Sequence, residues 1–502
     1  MTTDILLTTL NARYMHSAFG LRYLYANLGK LQSQAQLREF TIQQRPIDIA
    51  EKLLHSQPQI IGFSIYIWNV TETSEVIALI KAISPEVQVI VGGPEVSFAK
   101  DLPAICSQVD HIITGPGEIS FPKLCERLLA GERDGEQVIA GEVVALNQLK
   151  LPYSFYTDED IRNRLIYVEA SRGCPFKCEF CLSSLDKTAL SFELGAFLDE
   201  MDSLLDRGAR NFKFIDRTFN LRVNTSTAIL EFFLQRMSDD LYLHFEVIPD
   251  NISNKLKQVL TRFPDNSLQF EIGIQTFDPH IQKLVSRNQN NAKTCENLRW
   301  LRENTGAHIH ADLIFGLPAD SLQNFAKSFD QLVALGPQEI QLGILKRLRG
   351  APINRHTDHY QLRYNPEAPY NILSTRDIDF NTMQRVNRFA RFWDMIGNSG
   401  RFRATLPIIL GDTPFERFLR LSDTLYAITD SSWKISLRRI FELLYKILSE
   451  QLGVSPGIAS KTLKLDFQRS GQRGQLNLGC PDLKVISRTG VANKRQRQHV
   501  RG

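Results

Sequence analysis

The chain has 502 residues, 43% of them hydrophobic, with a formal net charge of +4 and a pI of about 8.6. This length predicts two to four domains with ordinary globular cores, and so mild a positive charge does not by itself indicate a nucleic-acid partner. No apolar run approaches the roughly eighteen residues that a membrane span needs. We therefore expect a cytoplasmic protein whose thiols stay reduced.

The first 130 residues alternate short apolar runs with amphipathic stretches, which is the pattern of β-α units around a parallel sheet. Strands are predicted at residues 5–9, 37–42, 60–65, 87–91 and 111–114. Helices are predicted near residues 20–30, 47–55, 70–84, 100–106 and 118–130. This segment is expected to form a doubly wound, flavodoxin-like α/β domain.

Two glycine-rich turns follow the last two of these strands. Gly92 and Gly93 come after the fourth strand, and Gly115, Gly117 and Glu118 come after the fifth. Ligands of doubly wound sheets bind outside the carboxyl ends of the strands, and glycine lets a ligand approach the backbone closely. These five residues are therefore candidate ligand-binding positions, although ordinary loop punctuation remains the alternative.

Three of the seven cysteines, Cys174, Cys178 and Cys181, fall in one short stretch. Three thiolates on one loop can hold three irons of a four-iron, four-sulfur cluster and leave the fourth iron open for chemistry. A structural zinc site is the alternative, but it needs a fourth donor. The remaining cysteines are scattered singly, at Cys106, Cys125, Cys295 and Cys480.

Six further strands are predicted around this loop, at residues 165–170, 212–216, 243–247, 268–274, 309–315 and 339–345. Amphipathic stretches separate them, so a partial (β/α)6 barrel is expected. Chemistry in barrels of parallel strands collects at the carboxyl-terminal strand ends. The polar residues at or just after these ends are Asp216, Glu271, Gln275, Arg287 and Asp312.

The Cys-x3-Cys-x2-Cys spacing of Cys174, Cys178 and Cys181 matches the signature of the radical S-adenosylmethionine (SAM) superfamily. The amino-terminal segment resembles the cobalamin-binding domain that precedes the SAM domain in one large branch of that superfamily. The resemblance lies in Gly20-Leu-Arg-Tyr-Leu24, Gly92-Gly-Pro94 and Gly115-Pro-Gly-Glu118. It implies a 4Fe-4S cluster, SAM and cobalamin as cofactors.

The resemblance also implies roles for the polar residues at the strand ends. Asp216 would face SAM or the substrate, and Glu271 and Gln275 would hold the ribose and methionine portions of SAM. Arg287 would pair with the SAM carboxylate, as a guanidinium fork can. Asp312 opens a segment, residues 312–318, that would lie near the adenine. The alternative for each is a hydrogen-bonded polar group in the barrel interior.

His16 departs from the cobalt-ligating pattern Asp-x-His-x-x-Gly of many cobalamin proteins. Tyr14 stands where the aspartate would be, and the glycine follows His16 by four residues instead of three. We therefore expect His16 to be a hydrogen-bonding residue near a helix start, with no lower histidine ligand on cobalt.

The last segment is expected to be mainly helical, with helices at residues 380–396, 415–429 and 435–452. It resembles an uncharacterised carboxyl-terminal domain found in one subgroup of these proteins. Its aromatic residues are expected in the core, because helical aromatics usually face inward; they are Trp393, Tyr426, Trp433 and Tyr445. A basic stretch, 494–501, ends the chain. The expected domains are 1–135, 136–355 and 356–502.

The function implied by the resemblance is SAM cleavage to a 5′-deoxyadenosyl radical, with cobalamin-dependent methylation of an unactivated carbon. The alternatives are cyclisation or rearrangement without methyl transfer, and an RNA-binding protein with a structural metal at the cysteine loop. The enzyme would need a low-potential electron donor of the flavodoxin or ferredoxin type. The sequence does not indicate the substrate.

Overall fold

The computed structural model describes residues 3–133, 135–474, 476 and 478. Two compact units make up the chain, residues 1–394 and residues 395–502. Cys480 and the basic stretch 494–501, both considered in the sequence analysis, lie outside the described residues.

The first unit opens with a six-stranded parallel sheet. Its strands are β1 (Ile5–Asn11), β2 (Ala35–Thr41), β3 (Ile60–Ser64), β4 (Gln88–Gly92), β5 (His111–Thr114) and β6 (Val138–Ala140). Their order in the sheet is β2-β1-β3-β4-β5-β6, the order of a flavodoxin-like sheet with one added edge strand. The five predicted strands are confirmed. The sixth strand, β6, was not predicted, because three residues are too few to show the two-residue alternation that marks a strand.

Helices cover both faces of this sheet, as a doubly wound fold requires. They are α1 (Phe19–Ala26), α2 (Pro46–Leu54), α3 (Val70–Ile83) and α4 (Ser120–Leu129). Successive side chains of a strand point to opposite faces, so Leu6 of β1 packs in the core with α2 and α3, while Leu7 packs in the core with α1 and α4. The predicted helix near 100–106 is instead a 3-10 turn at Ala104–Gln108.

A second six-stranded parallel sheet follows and curves into a partial barrel, as predicted. Its strands are β7 (Ile166–Val168), β10 (Asn211–Phe214), β11 (Tyr242–Glu246), β12 (Leu268–Gln275), β13 (His308–Phe315) and β14 (Glu339–Ile344). A short antiparallel pair, β8 (Ser171–Arg172) and β9 (Leu190–Ser191), brackets the cysteine loop. The order β14-β13-β12-β11-β10-β7 is sequential, with all neighbours parallel.

The helices of the barrel segment alternate with its strands. They are α5 (Asp158–Asn163), α6 (Leu194–Asp206), α7 (Val223–Gln235), α8 (Asn254–Leu260), α9 (Pro279–Leu284), α10 (Asn291–Asn304) and α11 (Leu322–Leu335). Strands β12 and β13 alternate strictly between buried and half-buried residues. The buried face is apolar and packs on helices, as the Phe315–Phe325 ring contact shows. The half-buried face carries the polar residues of the barrel interior.

The first unit ends with a short segment after β14. It contains α12 (Thr357–Tyr360), an antiparallel pair formed by β15 (Arg363–Tyr364) and β16 (Ile372–Ser374), and most of α13 (Phe380–Ile396), whose last two residues belong to the second unit. Trp393 of α13 is buried, and its indole N–H donates to the carbonyl of Ile340 at 2.9 Å. This aromatic residue is therefore a core residue, as expected.

The second unit is helical, with α14 (Leu406–Leu410), α15 (Pro414–Thr429), α16 (Leu437–Glu450) and α17 (Pro456–Arg469). Tyr426 and Tyr445 are half-buried, but Trp433 is 65% exposed, so the prediction that it belongs to the core was wrong. Trp433 lies in the loop between α15 and α16, where no helical face directs it inward. None of the helices in the described ranges combines the length and apolar character that crossing a bilayer requires.

Candidate functional site

The three clustered cysteines line one cavity of about 230 Å³, here called the cysteine cavity. Phe176 and Phe180, from the same loop, line it as well. The loop lies between β8 and β9, at the carboxyl-terminal side of the barrel strands. An apolar wall of this kind controls the dielectric and the solvent access around a metal cluster.

The three thiols are free, with Cys174 and Cys178 buried and Cys181 half-buried. Burial raises the pKa of both Cys174 and Cys178, and the guanidinium of Arg287, 3.6 Å from the Cys178 sulfur, opposes this for Cys178. A coordinating metal deprotonates such thiols outright. Among the described residues no three His, Cys, Asp or Glu side chains are arranged around a single metal ion, whereas a four-iron cluster takes each cysteine on a separate iron.

Glu271 and Asp312 reach the cysteine cavity from adjacent strands, β12 and β13. Glu271 accepts hydrogen bonds from His244 at 3.1 Å and Lys213 at 3.2 Å. Burial opposes ionisation of Glu271, but these two partners outweigh it and hold its pKa at about 2. Asp312 lies 3.3 Å from His310, and burial raises the pKa of Asp312. The barrel interior thus presents a fixed negative charge at Glu271.

Gln275, at the end of β12, lines the same cavity in a backbone conformation that non-glycine residues rarely adopt, with φ +68°. Its side chain occupies the space that a Cβ on Gly273 would need, since the two would approach to 2.5 Å. The side-chain oxygen of Gln275 is buried and has no hydrogen-bond partner. Gln275 thus lines the cavity with a rare backbone conformation and a buried, unsatisfied side-chain oxygen, a combination that marks candidate ligand sites.

Arg287 also lines the cysteine cavity, in the segment after α9. Its guanidinium donates to the carbonyl of Gly273 and to Gln289, at 2.8 and 3.0 Å for Gln289, besides contacting Cys178. The structure therefore places Glu271, Gln275, Arg287 and Asp312 around the three cysteines.

Asp216 lies apart from this group and lines neither the cysteine cavity nor the larger cavity described below. It is 2% exposed and accepts hydrogen bonds from the Ala170 amide at 3.0 Å and the Ser171 hydroxyl at 2.6 Å. Burial raises its pKa to about 7. Asp216 was expected to face SAM or the substrate. Its carboxyl instead accepts hydrogen bonds from the segment that leads into the cysteine loop.

The five turn residues of the first sheet share a second cavity of about 240 Å³, here called the turn cavity. Gly92, Gly93, Gly115, Gly117 and Glu118 all line it, at the carboxyl ends of β4 and β5. Gly93 has φ +106°, and a Cβ there would lie 2.6 Å from the carbonyl oxygen of Ile65. Glycine at this position is therefore required by the neighbouring backbone as well as leaving the cavity open.

A third cavity of about 660 Å³, here called the interdomain cavity, lies between the first sheet and the barrel. It shares Gly20, Tyr66 and Glu118 with the turn cavity, and Arg217 with the cysteine cavity. Tyr66 and Trp68 stack in its wall with ring centroids 4.3 Å apart. From the glycine turns to the cysteines, each cavity therefore shares lining residues with the next.

Arg172 lines the interdomain cavity and links the glycine turn after β5 to the start of the cysteine loop. It lies two residues before Cys174, and its guanidinium donates to Glu118 at 2.7 Å and to Glu169 at 3.0 Å. The turn that carries Glu118 and the strand that enters the cysteine loop are thereby held together.

His16 lines the interdomain cavity, with its Nδ1 atom 2.7 Å from the hydroxyl of Tyr167. This agrees with the expected hydrogen-bonding residue near the start of α1. Burial lowers the pKa of His16, and the charge of Lys213 adds to this effect.

Sequence reasoning missed Arg217, Lys213, His244 and Glu246. Lys213, His244 and Glu246 occupy inward positions of β10 and β11, and Arg217 follows Asp216 directly. The alternation of apolar and polar residues on these strands was the available signal, since it assigns the polar positions to one face.

Comparison with known families accounts for all three segments. The B12 binding domain matches residues 5–125, the radical SAM superfamily matches residues 168–332, and a protein family of unknown function, DUF4080, matches residues 358–498.

Two curated relatives match at low identity. An uncharacterized methyltransferase of Pyrococcus horikoshii, PH0819, is 22% identical over 56% of this chain and 67% of its own length. The cobalamin-dependent radical SAM methyltransferase TokK of Streptomyces tokunonensis is 24% identical over 62% of this chain and 51% of its own length. The chain thus spans only about half the length of the second relative.

Two solved structures show the same fold. The radical SAM methyltransferase TsrM of Kitasatospora setae, with tryptophan and a SAM analogue bound, has a TM-score of 0.58 at 18% identity and covers 73% of this chain and 79% of its own. The cobalamin-dependent SAM radical enzyme OxsB, with aqua-cobalamin bound, has a TM-score of 0.61 at 15% identity and covers 93% and 75%.

The residues present fit the cofactors that these families imply. Three free thiols share a cavity with the buried, unsatisfied oxygen of Gln275, and the glycine turns open onto a larger adjoining space. The chain carries a B12-binding domain, a radical SAM domain and a DUF4080 domain, of which the radical SAM domain implies a 4Fe-4S cluster and SAM and the B12-binding domain implies cobalamin.

Proposed function

We propose that this enzyme is a cobalamin-dependent radical SAM methyltransferase that acts on an unactivated carbon. When bound, the three cofactors supply a SAM-derived radical and a methyl group for transfer. The named activities of TokK and TsrM support methyl transfer over rearrangement. The substrate class stays open.

The observation that carries the proposal is that the interdomain cavity shares lining residues with both of the other cavities. It shares Arg217 with the cysteine cavity and Glu118 with the turn cavity, so a ligand at the cysteines and a ligand at the glycine turns would both border the interdomain cavity. A reaction that uses both cofactors on one substrate needs this proximity.

We assign the chain's own residues the following roles. Cys174, Cys178 and Cys181 hold three irons. Glu271 and Gln275 orient SAM beside them from β12, and Phe176 and Phe180 keep water from the cluster.

Four further roles complete the site. Arg287 pairs with the SAM carboxylate and Asp312 lies toward the adenine. Gly92, Gly93, Gly115 and Gly117 open the turn cavity for cobalamin, where Glu118 is held by Arg172.

The proposed domain division is 1–135, 136–355 and 356–502, and each of the three family matches falls within one of these ranges. A flavodoxin or ferredoxin of the cytoplasm would supply the electron that starts each turnover.

The test is anaerobic purification and reconstitution with iron, sulfide and cobalamin, followed by metal counting and incubation with reductant and SAM. The proposal expects about four irons and one cobalt per chain, with release of 5′-deoxyadenosine and S-adenosylhomocysteine. SAM labelled in its methyl group should transfer the label to the substrate, whereas a rearrangement would leave the product unlabelled.

Cys178→Ala and Cys295→Ala form a matched pair for this test. Both cysteines are buried, but only Cys178 lines the cysteine cavity. Cys178→Ala should lose the cluster and SAM cleavage while Cys295→Ala keeps both. Deoxyadenosine release by the Cys178 variant, or stoichiometric zinc in the wild type, would refute the proposal.

A further inference from the structure

Glu179 occupies an unusual position, inside the cysteine loop between Cys178 and Cys181. Its side chain is buried, 4% exposed, although it carries a carboxyl group and no cofactor role accounts for it. Buried carboxylates are costly unless several donors satisfy them. Its partners therefore indicate what the residue does.

The side chain of Glu179 accepts four hydrogen bonds from two segments outside the loop. Arg355 donates through Nη2 and Nε of its guanidinium, at 2.6 and 2.9 Å, and His356 donates at 2.9 Å. Ser286 donates its hydroxyl at 2.6 Å. Two carboxylate oxygens offer about four acceptor positions, so the group is fully satisfied.

The backbone of Glu179 is anchored to the same two segments. Its amide donates to the carbonyl of Val285 at 3.0 Å, and its carbonyl accepts from the amide of Ile353 at 2.9 Å. Ser286 adopts φ +54°, a left-handed conformation that is unfavourable for a serine. In this conformation Ser286 donates its hydroxyl hydrogen bond to Glu179.

The geometry points to Glu179 as the positioning residue of the cluster loop, fastened by Arg355 and His356 of the segment that leads into the carboxyl-terminal domain. This inference rests on the proposed cluster at Cys174, Cys178 and Cys181. Cys178 precedes Glu179 directly and Cys181 follows by two residues, so movement of Glu179 moves both sulfurs. Residues 352–356 thus act as a brace on the loop that must present three sulfurs to three irons.

The test measures how fast iron is lost from the reconstituted full-length protein to an iron(II) chelator under anaerobic conditions. Outer-shell partners of metal ligands commonly contribute about tenfold or more to metal retention. Glu179→Ala and Arg355→Ala should each speed iron loss by about tenfold, and the electron paramagnetic resonance signal of the reduced cluster should broaden. Arg355 is largely exposed, so its variant tests the brace if Glu179→Ala does not fold.

A double variant shows whether the two residues act through their contact. If they do, the variant with both changes should lose iron no faster than Glu179→Ala alone. Glu179→Gln should be intermediate, because the amide keeps one acceptor oxygen but presents an N–H group to the Arg355 fork.

Asp160→Asn is the matched control. Asp160 is a buried carboxylate that accepts from buried Arg22 at 2.8 Å and does not line the cysteine cavity. It should lower thermal stability but leave iron loss at the wild-type rate. Wild-type iron loss in the Glu179 and Arg355 variants, or equal acceleration in Asp160→Asn, would overturn the inference. A wild type that takes up no four-iron cluster would instead refute the proposed function.

Discussion

One nitrogen of Arg217, Nη1, donates to both carboxylate oxygens of Glu246, at 2.8 and 3.0 Å, where the cysteine cavity meets the interdomain cavity. Burial raises the pKa of Glu246, and the guanidinium opposes this effect. Arg217 is 54% exposed toward the cavities. The pair therefore sets the charge of the wall that both proposed cofactors would face.

We predict that Arg217→Ala keeps wild-type iron and cobalt contents but lowers the rate of deoxyadenosine release by about tenfold, which corresponds to about 1.4 kcal/mol. The reason is that the half-buried carboxylate of Glu246 would lose its cation at the wall of the cysteine cavity. Arg217→Lys should recover most of the rate, because one ammonium group can also donate to both oxygens.

The control for this prediction is Arg262→Ala, which removes a surface arginine paired with Glu231. Exposed pairs contribute little, about 0–1 kcal/mol, so its rate should match the wild type. An unchanged rate in Arg217→Ala would show that the pair has no part in the reaction.

Glu271→Gln should weaken SAM binding to the cluster-loaded protein by about tenfold, since a hydrogen bond to a charged acceptor contributes about 1.5–3 kcal/mol. His244 and Lys213 keep Glu271 ionised at every pH the enzyme would meet, with a pKa of about 2. Equilibrium dialysis with labelled SAM measures the effect.

Glu339→Gln is the comparison variant. Glu339 on β14 hydrogen-bonds to His308 on the neighbouring strand β13, but it does not line the cysteine cavity. Equal affinities of the two variants would contradict the assignment.

The sequence predicted two parallel sheets, and it predicted that Glu271, Gln275, Arg287 and Asp312 lie at or just after the strand ends near the cysteines, because strand periodicity and parallel pairing put strand ends together. It could not show that Asp216 turns away from the cavity. That orientation depends on the Ala170 and Ser171 donors, which lie just after β7 and become close to Asp216 only after folding.

The residue pairs that join distant segments of the chain could not be predicted from the sequence either. Arg349 bonds Glu95, 254 residues away along the chain, and Glu179 meets Arg355, 176 residues away. No periodicity or spacing marks such a pair. Only the packing of the segment after β14 against the first sheet and the cysteine loop brings these charges together.

The Arg349–Glu95 pair gives a prediction about stability. Arg349 donates to Glu95 at 2.9 Å and to Asp101 at 2.6 Å, and both members of the Glu95 pair are 10% exposed or less. Breaking a buried pair leaves an unpaired charge and costs about 3–5 kcal/mol. Arg349→Ala should therefore lower the thermal midpoint of the first unit by several degrees in scanning calorimetry.

Arg347→Ala is the matched change, because Arg347 also pairs with Asp101 but both partners are about one third exposed. Its cost should stay below about 1 kcal/mol. If the two variants unfolded at the same temperature, burial of the Arg349 pair would not be what joins these segments.

The raised pKa of Asp216, about 7, predicts a pH dependence of stability. In the unfolded chain this carboxyl releases its proton near pH 3.8, whereas the folded protein keeps it until about pH 7. Between these values the unfolded state binds fewer protons, so the free energy of unfolding falls by about 1.4 kcal/mol for each pH unit. Asp216→Asn has no such titration. Its thermal midpoint, relative to the wild type, should therefore rise from pH 5 to pH 7 and level off above.

Asp48→Asn, on the surface, should follow the wild type across this range, because Arg45 lowers the pKa of Asp48 and its titration is complete below pH 5. A constant difference between Asp216→Asn and the wild type would show that Asp216 ionises normally in the folded protein.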